Sequence, residues 1–254
     1  MSDFSIDINS DLGESPQALA DGSDFELMRF ITSANVACAG HAGDESTMKQ
    51  TLIAARELNV AVGAHPSYPD RVNFGRIELP LSSDEIEAIV RQQILSLVHV
   101  AEELGMRIVH VKPHGALYHA ARDQQVAKAI GRAAASVDPQ LVMVGQAGSS
   151  TLDHWHAMGL RCVGEAFADR AYEKDATLRS RKLTGALLDS PARAAQQALE
   201  IVLHHRAISH EGNEISIDAE TLCIHSDTPN AAAIAREVKN RLMAAGVIVK
   251  PLAL

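Results

Sequence analysis

Cysteine is scarce in this chain, with 3 among 254 residues, and Cys38, Cys162 and Cys223 form no C-x-x-C pair. A disulfide framework is excluded on that ground, and a reducing compartment is expected. Long apolar runs are missing as well. No stretch approaches the roughly 18 residues of a membrane span, and the opening "MSDFSIDINSDLGE" has neither the basic nor the apolar region of a secretory leader. We therefore expect a cytoplasmic protein that does not engage a membrane. Positive charge is also in short supply: 23 Lys plus Arg face 32 Asp plus Glu, for a net charge of -9, and the basic residues do not cluster. Nucleic acid is excluded as a partner, because phosphate backbones require a concentrated basic face. The chain contains no G-x-x-x-x-G-K-[ST] phosphate loop. Repeats, low-complexity tracts and linkers are lacking too, so a single domain over 1–254 is expected.

What remains is an α/β pattern in which short apolar runs alternate with segments of helical periodicity. Strands are predicted near 4–9, 36–39, 60–64, 107–112, 141–145, 161–166 and 221–225. Helices are predicted near 24–33, 45–58, 83–104, 124–136, 148–158, 190–206 and 229–245. Asp44, Ser82 and the pair Asp138-Pro139 supply start signals, and Gly105, Gly159 and Gly246 fall where C-caps are needed. Gly212-Asn213 marks a β-hairpin inserted over 206–220. Periodicity does not separate an open doubly wound sheet from a closed barrel. The polar residues favour the barrel, because nearly every predicted strand ends in an ionisable group, as catalytic groups in (β/α) barrels do.

In "DINSDLGE" the alternation sends Asp7, Asn9 and Asp11 to one side of a strand, where they need partners or a ligand, or else serve as capping and turn residues. "SANVACAGHAGDES" sets His41 among small residues. Its Asp44 is either a site residue or the N-cap of the following helix. "VAVGAHPSYPDRVNFGR" ends a strand in His65 and continues into a loop whose Arg71, Phe74 and Arg76 suit a lid or a carboxylate clamp; an intramolecular ion pair is the alternative for Arg76. "VKPHGALY" follows a buried strand with Lys112, His114 and Tyr118, and a lysine there must pair with an acid or a ligand. "EAFADRAYEKD" adds Glu165, Asp169, Arg170 and Tyr172. "LCIHSDTPNAA" adds His225 and Asp227 ahead of a helix start at Thr228-Pro229, whose free N–H groups suit an anion. Asp11, His41 and His65 have the chemistry of divalent-metal ligands, although no H-E-x-x-H signature gathers them locally. His99, His110, His119, His154, His156, His204, His205 and His210 are read as structural or solvated.

The ordered set "DINSDLGE", "SANVACAGHAGD", "GAHPSYPDRVNFGR", "HVKPHGALY", "EAFADRAY" and "IHSDTP" resembles the LamB/YcsF family, regarded as the A component of prokaryotic 5-oxoprolinase, along essentially the whole chain. The resemblance implies an irregular seven-stranded (β/α) barrel similar to the glycoside hydrolase/deacetylase superfamily. It also implies hydrolysis of 5-oxo-L-proline to L-glutamate with cleavage of ATP to ADP and phosphate, in company with subunits B and C and with Mg2+ on the nucleotide. Under that chemistry Lys112 would steady developing phosphate charge, Asp11 or His41 would act as base, and His65 and His114 would position groups or donate protons. Asp7, Asn9 and Asp227 would orient them, and Asp44 would hold the magnesium–nucleotide complex. Arg76, Tyr118, Asp169, Arg170 and His225 complete the expected substrate and nucleotide contacts. Family members commonly differ at Ser10, Ala39-Gly40 and Ser226 and just after Glu14. The second departure removes an aromatic wall expected beside His41. Two other functions fit the residues: a metal-dependent amidohydrolase or deacetylase acting without ATP, and a non-catalytic substrate-binding subunit.

Overall fold

A computed structural model describes residues 4–252. The elements run in the order β1 (Ser5–Leu12), α1 (Pro16–Ala20), α2 (Ser23–Met28), β2 (Ser33–Ala37), α3 (Glu45–Glu57), β3 (Ala61–His65), α4 (Ser83–Glu103) and β4 (His110–Val111). They continue with α5 (Gly115–Ala120), α6 (Gln124–Val137), β5 (Val142–Gln146), α7 (Ser150–Ala157), β6 (Cys162–Phe167) and α8 (Pro191–His204). The last elements are β7 (Arg206–Ile208), β8 (Glu214–Ser216), β9 (Thr221–Cys223), α9 (Ala231–Ala244) and β10 (Ile248–Val249).

Seven parallel strands form a ring, β1-β2-β3-β4-β5-β6-β9, which closes because β1 pairs with both β2 and β9. The closed barrel expected from the strand-end residues is the observed architecture. Closure gives every strand two faces with different company. On β1, Ile6, Ile8 and Leu12 pack in the apolar layer beneath the helices, while Asp7, Asn9 and Asp11 share the opposite, interior face. The predicted hairpin is β7–β8, and it is antiparallel as expected. β10 pairs with the first residues of β1; it and the short helices α1 and α5 were not expected.

Several boundaries moved for identifiable reasons. β1 runs on to Leu12, so Asp11 lies within the strand and not beyond it. β4 is only two residues long, because Pro113 cannot donate and the chain turns at once into α5. Asp44 and Ser82 each form a capping box, as start residues should. Asp138 is instead the C-cap of α6, with Pro139 ending the helix. The helix expected from Thr228-Pro229 begins at Ala231, so those two residues expose no helix N-terminus to an anion. Among the described residues no helix is long and apolar enough to cross a membrane, and Cys38, Cys162 and Cys223 are free.

Candidate active site

The barrel interior is filled by polar layers stacked along its axis. In the lowest, Asp7 accepts hydrogen bonds from the hydroxyls of Thr32 (2.7 Å), Ser33 (2.6 Å) and Thr221 (2.5 Å). Burial is the main influence on this carboxyl and pushes its pKa from 3.8 up to about 6, against the lowering effect of the hydroxyls. The folded protein thus holds a proton that the unfolded chain has already lost, and folding weakens as pH rises from about 4 to about 6. The span corresponds to about 3 kcal/mol. Asp7→Asn removes this dependence, so relative to wild type it should gain up to about 3 kcal/mol between about pH 4 and pH 7. Urea unfolding of both proteins at the two pH values checks this, and a difference independent of pH would refute it.

Above this layer Asn35 Nδ2 lies 2.8 Å from both Asn9 Oδ1 and Asp11 Oδ1, while its own Oδ1 receives His110 Nε2 at 2.8 Å. Asn9 Nδ2 donates to Thr221 at 2.7 Å. His110, expected to be a bland side chain, is fully buried here and braces Asn35; burial, then the Lys112 charge, lowers its pKa to about 3.

Lys112 crowns the stack. Its Nζ is 2.9 Å from Asp11 Oδ1, 2.8 Å from Glu165 Oε1 and 3.3 Å from both Asn9 Oδ1 and Cys223 Sγ. Burial acts to lower the lysine's pKa, but the carboxylates of Asp11 and Glu165 outweigh it and hold the ammonium well above the usual range. Asp11 is the mirror case: burial opposes its charge, and His65 and Lys112 hold it well below the usual carboxylate range. Glu165 Oε2 receives the Tyr118 hydroxyl at 2.8 Å.

Beside this pair three imidazoles gather around Glu14. His41 and His114 stack with centroids 3.7 Å apart and planes 5° from parallel, and His65 meets both edge-on. Phe74 lies 5.1 Å from His41 and caps the cluster. Phe74, from the loop after β3, supplies an aromatic wall beside His41, and at position 40 a Cβ would lie 2.2 Å from Gln93 Oε1. Gly75 and Gly115 allow the two loops to touch. Both have positive φ, and a Cβ on Gly115 would lie 2.6 Å from the Gly75 carbonyl oxygen. Burial, then the neighbouring His65, pushes His41 down to about 2 and His114 down to about 3, so both rings are neutral.

The stack and the histidine cluster open into a cavity of about 430 Å³ at the C-terminal ends of the strands. Its floor holds Asp11, Lys112, His65 and His114, and Tyr118 and Phe167 form much of the wall. The more exposed Arg76, Arg181 and Lys182 stand around the mouth, and Arg170 lines the cavity from a buried position. Asp227 pairs with Arg76 at 3.0 Å and with Arg181 at 2.7 Å, so the ion pair given as the alternative for Arg76 is present, and its side chain also lines the cavity. Arg170 is buried, with an Nε that has no hydrogen-bond partner. His225 stacks on Phe167.

Five expected site residues stand back from the cavity, among them His41, which is buried in the histidine cluster and does not line it. Asp7 is committed to three hydroxyls below it, and Asn9 acts through Lys112 and Asn35. Asp169 is fully buried and anchors the His225 ring and the Thr228 hydroxyl, so it positions His225 and does not meet a ligand. Asp44 is an exposed N-cap whose Oδ1 accepts from the Thr47 N–H at 2.8 Å, which does not fit the nucleotide-holding role expected of it. Asp44→Ala should cost about 1 kcal/mol in thermal or urea unfolding and leave turnover at the wild-type level. A large fall in turnover with little loss of stability would return Asp44 to the site.

The sequence expectations also missed contributors. Glu14 lies at the end of a quoted motif, and Glu165 was noted only as a strand-end acid. Asn35 sits on the inward face of β2, where the same alternation that singled out Asn9 could have found it. Among the described residues, two groups of donor atoms could take a metal: Glu14 with His41, His65 and His114, and Asp11 with Cys223 and His225. The Lys112 ammonium already lies against Asp11 and Cys223, so a second cation is disfavoured there. The first group replaces the expected Asp11 with Glu14 and adds His114; Asp11 Oδ2 remains 3.4 Å from His65 Nε2.

The closed ring of parallel strands, with acids, histidines and a lysine gathered at the strand ends, defines a seven-stranded (β/α) barrel with one central polar site. The structure of T48 deacetylase with substrate superimposes with a TM-score of 0.51 at 13% identity, over 98% of this chain and 89% of that one, a likeness of fold alone. The chain belongs to the LamB/YcsF family, whose family model matches residues 6–254. It is 49% identical over 248 residues to the 5-oxoprolinase A subunit of Chloroflexus aggregans, covering 97% of this chain and 98% of that protein. It is 41% identical to a lactam utilization protein from Thermus thermophilus, with a TM-score of 0.91 over 98% of this chain and 100% of that one.

Proposed function

We propose that this chain is the A component of a cytoplasmic, ATP-dependent 5-oxoprolinase that works with subunits B and C to open 5-oxo-L-proline to L-glutamate. Relatives named for that activity along nearly the whole chain support the reading. So does one arrangement within the cavity: a buried ammonium between two carboxylates at the floor, an aromatic wall, and arginines at the mouth. A small cyclic amide bearing a carboxylate fits that polarity, with its acid toward the arginines and its amide toward the floor. Cleavage of ATP would supply a phosphoryl group that makes the unreactive amide carbon a better electrophile.

The chain's own residues then have definite tasks. Lys112 stabilises negative charge developing on the amide oxygen or on a phosphoryl group attached to it. Asp11, held ionised, accepts a proton from the attacking water, and His65 beside it relays or returns a proton. Tyr118 fixes Glu165, Asn35 fixes Asp11 and Asn9 fixes the Lys112 ammonium, so that little rearrangement is needed during reaction. The test is glutamate formation and phosphate release from 5-oxoproline, measured with and without subunits B and C across a panel of lactams. Lactam-dependent phosphate release confined to the full assembly supports the proposal. The histidine–Glu14 cluster favours a second reading, a metal-dependent amidohydrolase, and full glutamate formation by this chain alone without ATP would select it.

A further inference from the structure

We infer that Glu14, His41, His65 and His114 form a binding site for one divalent transition-metal ion of the zinc type, on the wall of the cavity beside Lys112. Hydrogen positions at the cluster carry the argument. His65 Nδ1 lies 2.7 Å from the Lys112 carbonyl oxygen, and a carbonyl only accepts, so Nδ1 bears a hydrogen, and in the neutral ring that a metal requires Nε2 presents a lone pair. His114 Nε2 lies 2.9 Å from the Phe74 carbonyl oxygen, so by the same reasoning His114 Nδ1 presents a lone pair. With His65 neutral these two lone pairs face each other at 3.0 Å with no hydrogen between them.

Glu14 Oε1, another acceptor, is 3.3 Å from His114 Nδ1 and 3.8 Å from His65 Nε2. Only His41 points a hydrogen inward, from Nε2 to Glu14 Oε1 at 2.8 Å. With His65 neutral three acceptors thus converge on one point, and a metal ion at the centre would satisfy all three at once, whereas a proton on His65 Nε2 would satisfy one pair. The four donor atoms lie within 4.8 Å of one another. Donors on a tetrahedron drawn with bonds of roughly 2.1 Å stand about 3.4 Å apart, so small side-chain shifts complete the site. The two carbonyl bonds behind His65 and His114 are the outer-shell partners that fix tautomer and aim in metal-binding histidines. His41 Nδ1 is buried and unpartnered, and can take the hydrogen that Nε2 gives up on coordination. Nitrogen and carboxylate donors together suit Zn2+ or Co2+ better than Mg2+.

The inference concerns binding and stands whether or not a lactam is the substrate. The full chain, stripped with chelator, is titrated with ZnCl2 and CoCl2 by calorimetry, with MgCl2 as contrast and far-UV circular dichroism to confirm folding. One ion per chain is expected, with affinity lowered at least about a hundredfold in His65→Ala and in His114→Ala. Bound Co2+ should give the visible absorption of a four- or five-coordinate nitrogen–oxygen site. Should either alanine variant fail to fold, Glu14→Gln is measured instead, with the same loss of affinity expected. Absence of saturable Zn2+ or Co2+ binding, or binding unchanged in the folded variants, overturns the site.

Discussion

Replacing Lys112 with methionine is expected to cut lactam-dependent turnover of the assembly by at least about a hundredfold and to destabilise the chain by about 3–5 kcal/mol near neutral pH. Methionine keeps most of the apolar stem, so lost packing is a minor part of the change. The major part is charge. The Lys112 ammonium touches Asp11 at 2.9 Å and Glu165 at 2.8 Å, and the buried Glu165 Oε1 has no hydrogen-bond partner to replace that ion pair. Without it two buried carboxylates face one cavity floor with no counter-charge, and at least one of them must bind a proton more tightly than it would in the unfolded chain.

The sign of the pH dependence follows. In the wild type the depressed Asp11 pKa contributes stability at every pH above the ordinary carboxylate range. In the variant a carboxyl with a raised pKa costs stability that grows as pH climbs through that raised value. The gap between the two proteins should therefore be widest above about pH 7 and shrink toward about pH 5. Adding Glu165→Gln should restore part of the stability and none of the turnover, because it removes the unpaired charge without supplying an electrophile. Urea unfolding at the two pH values and a phosphate-release assay measure both effects. Wild-type turnover in a folded Lys112→Met assembly would remove lysine from the mechanism.

The parts of this site that could be read from sequence are those set by strand alternation. Asp11 and Lys112 belong to motifs whose apolar neighbours dictate a strand, and a strand's period of two decides which side chains share the interior. Closure was legible for the same reason, since polar groups recur at the ends of strands scattered along the chain. Glu14 was not legible as a site residue. Gly13, at φ 71°, bends the chain out of the strand, and no periodic rule predicts where the next side chain goes. Arg181 and Lys182 were hidden for a related reason: they lie between β6 and α8 in a long segment without regular structure. Asp44 and Asp169 show the opposite failure. Both are acids near a strand end, but one was claimed by a local capping box and the other by a histidine 56 residues away. Sequence position alone does not reveal which demand a carboxylate serves.

Gly63→Ala should show how closely the scaffold and the site depend on each other, with an expected loss of about 3 kcal/mol, at the upper end for an added core methyl. Gly63 on β3 lies in register with His110 on β4, and the imidazole occupies the space a side chain would need. A Cβ there would be 2.2, 2.3 and 2.4 Å from His110 Cδ2, Nε2 and Cγ. The conflict is steric, since Gly63 is not among the positive-φ glycines. Relief requires His110 to move, and His110 holds Asn35, which in turn holds both Asn9 and Asp11. A displaced ring therefore leaves buried polar atoms unpartnered and frees the carboxylate beside Lys112, so turnover should fall along with stability. A double-mutant cycle separates this route from general disruption of β3. His110→Ala makes room for the new methyl, so the pair Gly63→Ala/His110→Ala should be more stable than the sum of the single losses by about 1–3 kcal/mol. Additive losses in urea unfolding would show that Gly63 acts through the strand backbone and not through the imidazole.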